Sequence, residues 1–288
     1  MKTATRRKPR RDERRGETAR RTARRTAHRK PPRSESPREA KERMLTLVLW
    51  DIDYTLLVSG PAGRSVYPRA FTALTGAQPE CTVPTEGRTE PEIMAELLAR
   101  HGVTGVSAED AAAAMTDALR EADGELRAKG RRLPGALVTL AALRDDPRAV
   151  QSLLTGNLRP NAHRKLAAFG LEELVDFDAG AYGSDDPVRA RLVPLAQRRA
   201  GERYGVRFDR TNTVLLGDTV RDVAAGVEGG ARVVAVATGQ YTETDLLAAG
   251  ADAVLPDLCS IERVLTCVFG VARPGRAVPR QPHPRNAP

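Results

Sequence analysis

The chain has 288 residues, of which 41% are hydrophobic, enough for a sizeable core in one or two domains. Its formal net charge of +9 comes from the first 43 residues, which hold 18 Lys and Arg against six Asp and Glu. No apolar stretch reaches the roughly 18 residues that span a bilayer, and the basic start lacks the apolar segment of a secretory signal. We therefore expect a cytoplasmic protein without a membrane segment.

Residues 1–43 form a basic arm that has almost no large apolar side chains. This composition predicts disorder, because such a segment cannot bury enough apolar surface to fold. Runs of Lys and Arg bind polyanions by releasing counterions, so weak polyanion binding through the arm is one interpretation. No aromatic residues interleave with the arginines to stack on bases, which favours a solvated arm or a true start at Met44. Residues 267–288, rich in proline, predict a second flexible tail.

Between the two tails, short apolar runs alternate with helical patterns, which is typical of βαβ units and a parallel sheet. Most of the runs are continuously apolar, as expected for strands covered by helices on both faces. The sequence thus predicts an α/β fold with a Rossmann-like, doubly wound parallel sheet. The predicted strands are 45–50, 149–154, 175–182, 213–218, 233–238 and 252–255.

The first two strands are separated by nearly a hundred residues, whereas a crossover needs only about a dozen. An inserted helical module is therefore predicted over 61–133, and residues 44–60 and 134–266 would form the α/β core. The helices predicted in the module are 68–76, 90–101 and 107–129, and a helix over 136–144 should precede the second strand.

Polar side chains follow the apolar runs at the ends of four predicted strands. Ligand sites of open α/β sheets lie beyond the carboxyl ends of the strands, so these side chains should gather in one crevice. They are Asp51 and Asp53 after the first strand, Thr155, Gly156 and Asn157 after the second, Asp185, Asp186 and Arg189 after the third, and Asp218 and Asp222 after the fourth.

These motifs, in this order, resemble the haloacid dehalogenase superfamily of phosphohydrolases over residues 45–260. The resemblance implies that Asp51 attacks a phosphoryl group and forms an aspartyl-phosphate. Asp53, two residues further along an extended backbone, projects to the same side and would serve as general acid and base. The resemblance also implies a Mg²⁺ ion held by Asp51, the backbone carbonyl of Asp53 and Asp218, with Asp222 nearby.

The resemblance assigns Thr155, Gly156 and Asn157 to the binding of phosphate oxygens. The family usually carries a lysine in its third motif, but the one lysine beyond residue 129 is Lys165, inside the helix that follows Asn157. An arginine would have to substitute, and Arg189 is preferred over Arg191.

Two further positions bear on the choice of substrate. Tyr54 stands where the family most often has glycine, and its side chain would border the site. The helical module corresponds to the family's cap, in which Glu86-Gly87-Arg88-Thr89-Glu90 looks like a stretch of phosphoglycolate phosphatase-like members. Arg88 would contact a substrate anion there or remain a surface charge.

The predicted function is a Mg²⁺-dependent phosphatase, monomeric or homodimeric, acting on a small phosphorylated metabolite, with phosphoglycolate as the first candidate by resemblance. Two alternatives remain open. One is a sugar phosphomutase, which needs the same four motifs. The other is a nucleic-acid-associated protein that uses the basic arm and retains the core as a scaffold.

Overall fold

The computed structural model describes residues 45–270, and its central feature is a six-stranded parallel sheet. The strands in chain order are β1 (Thr46–Trp50), β2 (Leu57–Val58), β3 (Arg131–Arg132), β4 (Ala149–Thr155), β5 (Ala181–Tyr182), β6 (Thr213–Gly217), β7 (Arg232–Val236) and β8 (Ala253–Leu255). The order across the sheet is β5-β4-β1-β6-β7-β8, and β2 and β3 pair as a separate antiparallel ribbon. This arrangement confirms the predicted doubly wound α/β class.

The position of β1 determines where a ligand can enter. It pairs in parallel with β4 on one side and with β6 on the other. The chain therefore builds one half of the sheet outward from β1 and then returns to build the other half. The carboxyl ends of these three strands meet at the switch point, where open α/β sheets form their binding crevice.

Both faces of the sheet are buried, which explains the continuously apolar strands. Val48 and Trp50 pack on one face, in a cluster that includes Leu140. Leu47 and Leu49 pack on the opposite face, in a cluster with residues of the helix after β5. Side chains alternate across a strand, so apolar residues at successive positions are needed when helices cover both faces.

Ten α-helices accompany the strands within residues 45–270. They are α1 (Gly60–Thr75), α2 (Glu90–Arg100), α3 (Ala108–Glu121), α4 (Asp123–Lys129), α5 (Ala136–Arg144), α6 (Arg159–Ala168), α7 (Arg189–Tyr204), α8 (Val220–Gly229), α9 (Glu243–Ala248) and α10 (Ile261–Phe269).

Helices α1 to α4 share a hydrophobic cluster, in which Phe71, Met94, Met115 and Leu119 are buried together with Leu158 from the loop after β4. In the ribbon of β2 and β3, the segment that leads from the sheet into these helices pairs with the segment that leads back. An inserted helical module was predicted from the sequence, and helices do occupy this interval; the domain boundaries at 60/61 and 133/134 stay predictions.

Several predicted elements differ from the observed ones. The strand predicted over 175–182 is wrong except for its last two residues, because only Ala181 and Tyr182 pair with β4. The residues before them form a loop whose acidic side chains bind arginines, such as Asp176 with Arg203. The helix predicted from residue 68 begins at Gly60, with a proline in its first turn. The helix predicted over 107–129 is broken at Ala122 into α3 and α4, next to a poorly helix-forming Asp-Gly pair.

The predicted tails fall mostly outside the described residues. The basic arm over 1–43 lies outside them, as does the C-terminal tail from residue 271. Residues 267–269, predicted to belong to that tail, are instead the end of α10, where Cys267 and Val268 are buried. Among the helices of residues 45–270, none has both the length and the apolar character required to traverse a bilayer.

Candidate active site

Eight of the predicted site residues line one cavity of about 410 Å³ at the carboxyl edge of the sheet. Asp185 and Asp186, predicted in the same crevice, do not line it and instead pair with Arg199 and Arg191. The core elements contribute residues from the ends of β1, β4 and β6 and from the start of α7, and the helical module contributes the segment before α2. The predicted residues that line the cavity are Asp51, Asp53, Arg88, Thr155, Gly156, Asn157, Arg189 and Asp218. Asp222 lies behind them and does not line it.

Asp51 lies at the floor of the cavity and is buried. Its backbone N–H donates to Leu216 O at 2.9 Å, which ties the residue to β6. Its Oδ1 accepts a hydrogen bond from Arg189 Nη2 at 2.6 Å. Burial raises the pKa of Asp51 to about 7, with the charges of Asp222 and Asp53 adding to the rise and that of Arg189 opposing it. A carboxylate with this pKa is only partly ionised at neutral pH unless more positive charge is present.

Arg189 is the cation nearest to Asp51. It begins α7, is buried, and pairs through Nη2 with both Asp51 and Asp222. Its Nη1 donates to Gly87 O in the helical module at 3.2 Å. Arg191, the alternative considered from the sequence, has a side chain that is 70% exposed and lies 3.6 Å from Asp186, away from the cavity. The structure thus brings Arg189 to the site and leaves Arg191 outside it.

Three carboxylates, those of Asp51, Asp218 and Asp222, have oxygens within 4.8 Å of one another. Burial raises the pKa of Asp218 to about 9, and the charges of Asp222 and Asp51 contribute to the rise. Thr55 Oγ1 donates to Asp218 Oδ1 at 3.3 Å. Buried carboxylates that repel one another bind a hard cation well, and oxygen is the ligand atom that Mg²⁺ prefers. The donor set therefore fits the predicted metal.

Asp222 differs from the other two carboxylates, because one of its oxygens is held by hydrogen bonds within its own helix start, while the other forms an ion pair but accepts no hydrogen bond. Oδ2 accepts hydrogen bonds from the Thr219 backbone N–H at 3.0 Å and hydroxyl at 2.6 Å. The first of these, together with the Asp222 N–H that donates to Thr219 Oγ1 at 3.1 Å, forms the capping box of α8. Oδ1 pairs with Arg189. Asp222 is thus placed to orient Arg189 and to fix the start of α8, and its direct ligation of a metal stays a prediction.

Asp53 lies in a different environment from Asp51. Its Oδ1 accepts from Ser59 Oγ at 2.7 Å. Its Oδ2 accepts from Asn157 Nδ2 at 3.0 Å and from Lys165 Nζ at 2.6 Å. Burial alone would raise the pKa of Asp53, but the charge of Lys165 and these hydrogen bonds outweigh it and lower the pKa. The surroundings thus favour the protonated form of Asp51 and the ionised form of Asp53.

The sequence placed Lys165 in a helix but did not predict its place in the site. The residue lies in α6, is buried, and also contacts Asn157 Oδ1 at 2.5 Å. A signal was present in the sequence, since Lys165 shares its helix face with the apolar residues Ala162 and Leu166, and these spacings predict a buried face. A lysine on such a face requires buried partners, which here are site residues.

The loop after β4 is in contact with the helical module. Thr155 is fully buried, and its Oγ1 accepts from Asn157 Nδ2 at 2.8 Å. Gly156 O accepts from the Glu90 backbone N–H at 2.8 Å. A Cβ at Gly156 would lie 2.2 Å from Arg88 O, so only glycine allows this approach.

Arg88 lines the cavity, but its guanidinium is already paired within the module. Nε donates to Glu92 Oε1 at 2.8 Å, and Nη1 lies 2.5 Å from Glu96 Oε2. Two carboxylates thus neutralise the charge that was predicted to contact a substrate anion. The substrate-binding role of Arg88 stays a prediction, and an anion would have to compete with these two partners.

Tyr54 lies at the rim of the cavity, with 42% of its surface exposed. It is the one non-glycine residue at positive φ within residues 45–270, with φ of 60°. This conformation disfavours side chains with a Cβ and suits glycine, which gives a physical reason for the glycine usual at this position in the family. The Tyr54 ring is accordingly positioned at the opening by a strained backbone.

Comparisons with known proteins agree with this architecture. Residues 188–261 match the family model for HAD-hydrolase-like proteins. CbbY from Rhodobacter sphaeroides, solved in complex with phosphate, is 21% identical, with a TM-score of 0.59 over 75% of this chain and 96% of its own. A putative β-phosphoglucomutase from Bacteroides vulgatus is 20% identical, with a TM-score of 0.55 over 80% of this chain and 96% of its own.

A third solved structure, a predicted phosphoglycolate phosphatase from Haemophilus somnus 129PT, is 17% identical, with a TM-score of 0.53 over 77% of this chain and 98% of its own. No match was found among curated proteins. The family match and the shared fold confirm the resemblance seen in the sequence. The match to the HAD-hydrolase-like model is confined to residues 188–261, and the solved structures share the fold of this chain.

Proposed function

We propose that the protein is a Mg²⁺-dependent phosphatase that hydrolyses a small phosphomonoester through an aspartyl-phosphate on Asp51. The observation that carries the proposal is the position of Asp51 at the floor of the cavity, between the Arg189 guanidinium and the Asp218 carboxylate. A nucleophilic carboxylate, a paired cation and a second acidic ligand at one point are the groups that phosphoryl transfer requires.

Asp51 would attack the phosphorus atom with a carboxylate oxygen while the bond to the leaving oxygen breaks. Arg189 holds one oxygen of Asp51 and so fixes the direction in which the other points. Magnesium, when bound at the Asp51 and Asp218 carboxylates, supplies the positive charge that keeps both ionised and offsets the charge of the phosphoryl oxygens. Thr155 would donate its hydroxyl to a phosphoryl oxygen. Asn157 would also donate to the phosphate, by giving up one of the hydrogen bonds that its NH₂ group makes to Asp53 and Thr155.

Asp53 would pass a proton to the leaving oxygen and then accept one from the water that hydrolyses the aspartyl-phosphate. Its lowered pKa favours the carboxylate, which is the form needed to accept a proton from water. A phosphate ester bringing negative charge near Asp53 would raise that pKa and so favour the proton-donating form.

The size and lining of the cavity support a small substrate. About 410 Å³ accommodates a small metabolite, and the module segment 87–90 closes one side of it. Phosphoglycolate remains the first candidate, and the similarity to a predicted phosphoglycolate phosphatase is consistent with it. CbbY, to which this chain is also similar, has been solved with xylulose-1,5-bisphosphate, so sugar phosphates belong in the same screen.

Hydrolysis of p-nitrophenyl phosphate tests the proposal. The purified protein should release p-nitrophenolate in Mg²⁺ and lose this activity in EDTA, and Asp51→Asn should be inactive. Asp117→Asn, which alters an exposed aspartate of the module, is the matched control and should retain full activity. Equal activity of Asp51→Asn and the control would contradict the proposal. Phosphate transfer between positions of a sugar phosphate, without net release, would favour the phosphomutase alternative.

A further inference from the structure

The site contains a second buried cation whose partners are site residues. Lys165 is nearly inaccessible, with 4% of its surface exposed. Its ammonium group lies 2.6 Å from Asp53 Oδ2 and 2.5 Å from Asn157 Oδ1. Burying an ammonium group is costly unless charged and polar partners surround it. Asp53 and Asn157 both line the cavity, so the groups that offset the burial of Lys165 belong to the site.

The ammonium fixes the orientation of the Asn157 amide. Lysine can only donate hydrogen bonds, so the amide atom facing Lys165 must be the carbonyl oxygen. The amide NH₂ group is then directed to Asp53 Oδ2 at 3.0 Å and Thr155 Oγ1 at 2.8 Å. Removal of Lys165 would leave the amide oxygen without its donor, and the amide would then be held through its NH₂ group alone.

The same ammonium fixes Asp53. One oxygen of Asp53 is held by Ser59, and the other is shared between Lys165 and Asn157. Without Lys165, the second oxygen would keep a single neutral partner. The carboxylate would gain rotational freedom at the point where it must meet the leaving oxygen.

A third group links this arrangement to the helical module. Glu90, at the start of α2, is buried, and its Oε2 accepts from the Leu158 backbone N–H at 2.9 Å and from Asn161 Nδ2 at 2.8 Å. Both donors lie at the N-terminal end of α6, the helix that carries Lys165. Burial raises the pKa of Glu90, and the charge of Lys165 opposes the rise. Helix α6 thus contacts the module through Glu90 and the site through Lys165.

We propose that Lys165 is a positioning residue for Asp53 and Asn157, so that the site uses two cations with separate tasks, Arg189 for the nucleophile and Lys165 for the proton-transfer group. This inference rests on the proposed phosphatase function. A role limited to neutralising buried carboxylates would affect stability alone. A positioning role also affects the chemical step that depends on Asp53.

The leaving group of the substrate separates these two roles. Phenyl phosphate releases a more basic phenolate than p-nitrophenyl phosphate and needs proton donation more. In Lys165→Met, we expect kcat/KM to fall about 100-fold for phenyl phosphate, in the range of general acid catalysis. For p-nitrophenyl phosphate, we expect the fall to be about tenfold or less. Lys165→Arg should recover part of the loss with phenyl phosphate.

Lys129→Met is the matched control, because Lys129 is exposed and pairs with Glu125 at 3.0 Å. It should leave both rates unchanged. If Lys165→Met does not fold, Lys165→Met/Glu90→Gln replaces it, since this double variant removes one buried negative charge together with the positive one. Thermal unfolding and circular dichroism report which variant to use.

Equal losses with the two esters in a folded variant would overturn the positioning role and leave the phosphatase function standing. A wild-type protein that hydrolyses neither ester would overturn the phosphatase function, and with it this inference. The two failures are therefore distinguishable by the wild-type rates.

Discussion

Arg189 shows how much of the site depends on a single side chain. Its guanidinium contacts Asp51, Asp222 and the carbonyl of Gly87. These partners come from β1, α8 and the helical module, so Arg189 joins three separate parts of the chain. An arginine can do this because its planar group presents several donors in fixed directions, whereas a lysine presents a single point charge.

We predict that Arg189→Met lowers kcat/KM for p-nitrophenyl phosphate at least about 100-fold. Removing the cation leaves two buried carboxylates without their partner, and breaking a buried pair costs about 3–5 kcal/mol of unfolding free energy. Arg189→Lys keeps the charge without the fork and should show an intermediate loss of activity. Steady-state kinetics and urea unfolding measure the two effects.

Arg191→Met serves as the control for this prediction. Its side chain is exposed and stands outside the cavity, so activity and stability should stay within a few-fold and about 0.5 kcal/mol of wild type. The prediction fails if a folded Arg189→Met protein retains wild-type activity, or if the Arg191 variant loses as much.

At the residue scale, the site groups that follow strands could be predicted from the sequence. The contact of Lys165 in α6 with Asp53 after β1 could not. Asp51, Asp53 and Asp218 could be placed because the carboxyl ends of parallel strands meet at one edge. The contact between Lys165 and Asp53 depends instead on the rotation of α6 about its axis and on its distance from β1. Spacing along the chain does not determine either quantity. Arg189 could be predicted because it follows the third predicted strand, where the resemblance implies a cation.

At the scale of elements, the loop after β4 and the segment before α2 are in close backbone contact. Gly156 O accepts the Glu90 N–H at 2.8 Å, and a Cβ at Gly156 would collide with Arg88 O at 2.2 Å. Thr89 Oγ1 donates to Pro187 O at 3.3 Å, which adds a second link between the module and the core. The module is therefore held against the site by backbone groups as well as by side chains.

We predict that Gly156→Ala disrupts this contact. The methyl group forces the two backbone segments apart, and such overpacking costs about 1–3 kcal/mol. The movement also displaces Thr155 and Asn157, so KM for p-nitrophenyl phosphate should rise several-fold. Urea unfolding and steady-state kinetics on the same preparations give both values.

Gly124→Ala is the matched control, because a Cβ at Gly124 has no atom within 4 Å. Gly124 lies in α4, where alanine is more favourable than glycine by roughly 0.5–1 kcal/mol. This variant should be as stable as wild type or more so. A Gly156→Ala protein that matches wild type in both stability and KM would show that the two segments separate without loss.

Elements buried on both sides were the predictable ones. The apolar runs of β1, β4, β6 and β7 correspond to observed strands because each is covered on both faces. The apolar residues over 175–182 alternate with Asp176 and Asp178, and this alternation resembles a strand. The two carboxylates instead bind arginines at the edge of the sheet, and most of the segment is a loop. Edge strands pair on one side only, so their lengths depend on surface contacts that the pattern of apolar residues does not encode.

At the scale of the whole molecule, the cluster of Asp51, Asp218 and Asp222 connects the protonation of the site to the stability of the fold. Asp51 and Asp218 have pKa values of about 7 and about 9 in the folded protein, against an ordinary value of 3.8. Between about pH 4 and pH 9, the folded state therefore binds more protons than the unfolded state. The unfolding free energy contributed by these groups is present below pH 4 and is lost as the pH rises through their folded pKa values.

We predict that the thermal unfolding temperature in EDTA falls between pH 6 and pH 9. Asp218→Asn removes the larger pKa difference and should flatten this slope, whereas the exposed Asp117→Asn variant should follow wild type. Mg²⁺ should raise the unfolding temperature more at pH 9 than at pH 6, because its ligands must be deprotonated to bind it. Stability in EDTA that rises with pH in this window, or an equal slope in Asp218→Asn, would show that the cluster does not hold protons in the fold. The experiment reads unfolding alone, so it tests the carboxylates of Asp51 and Asp218 independently of the substrate and of catalysis.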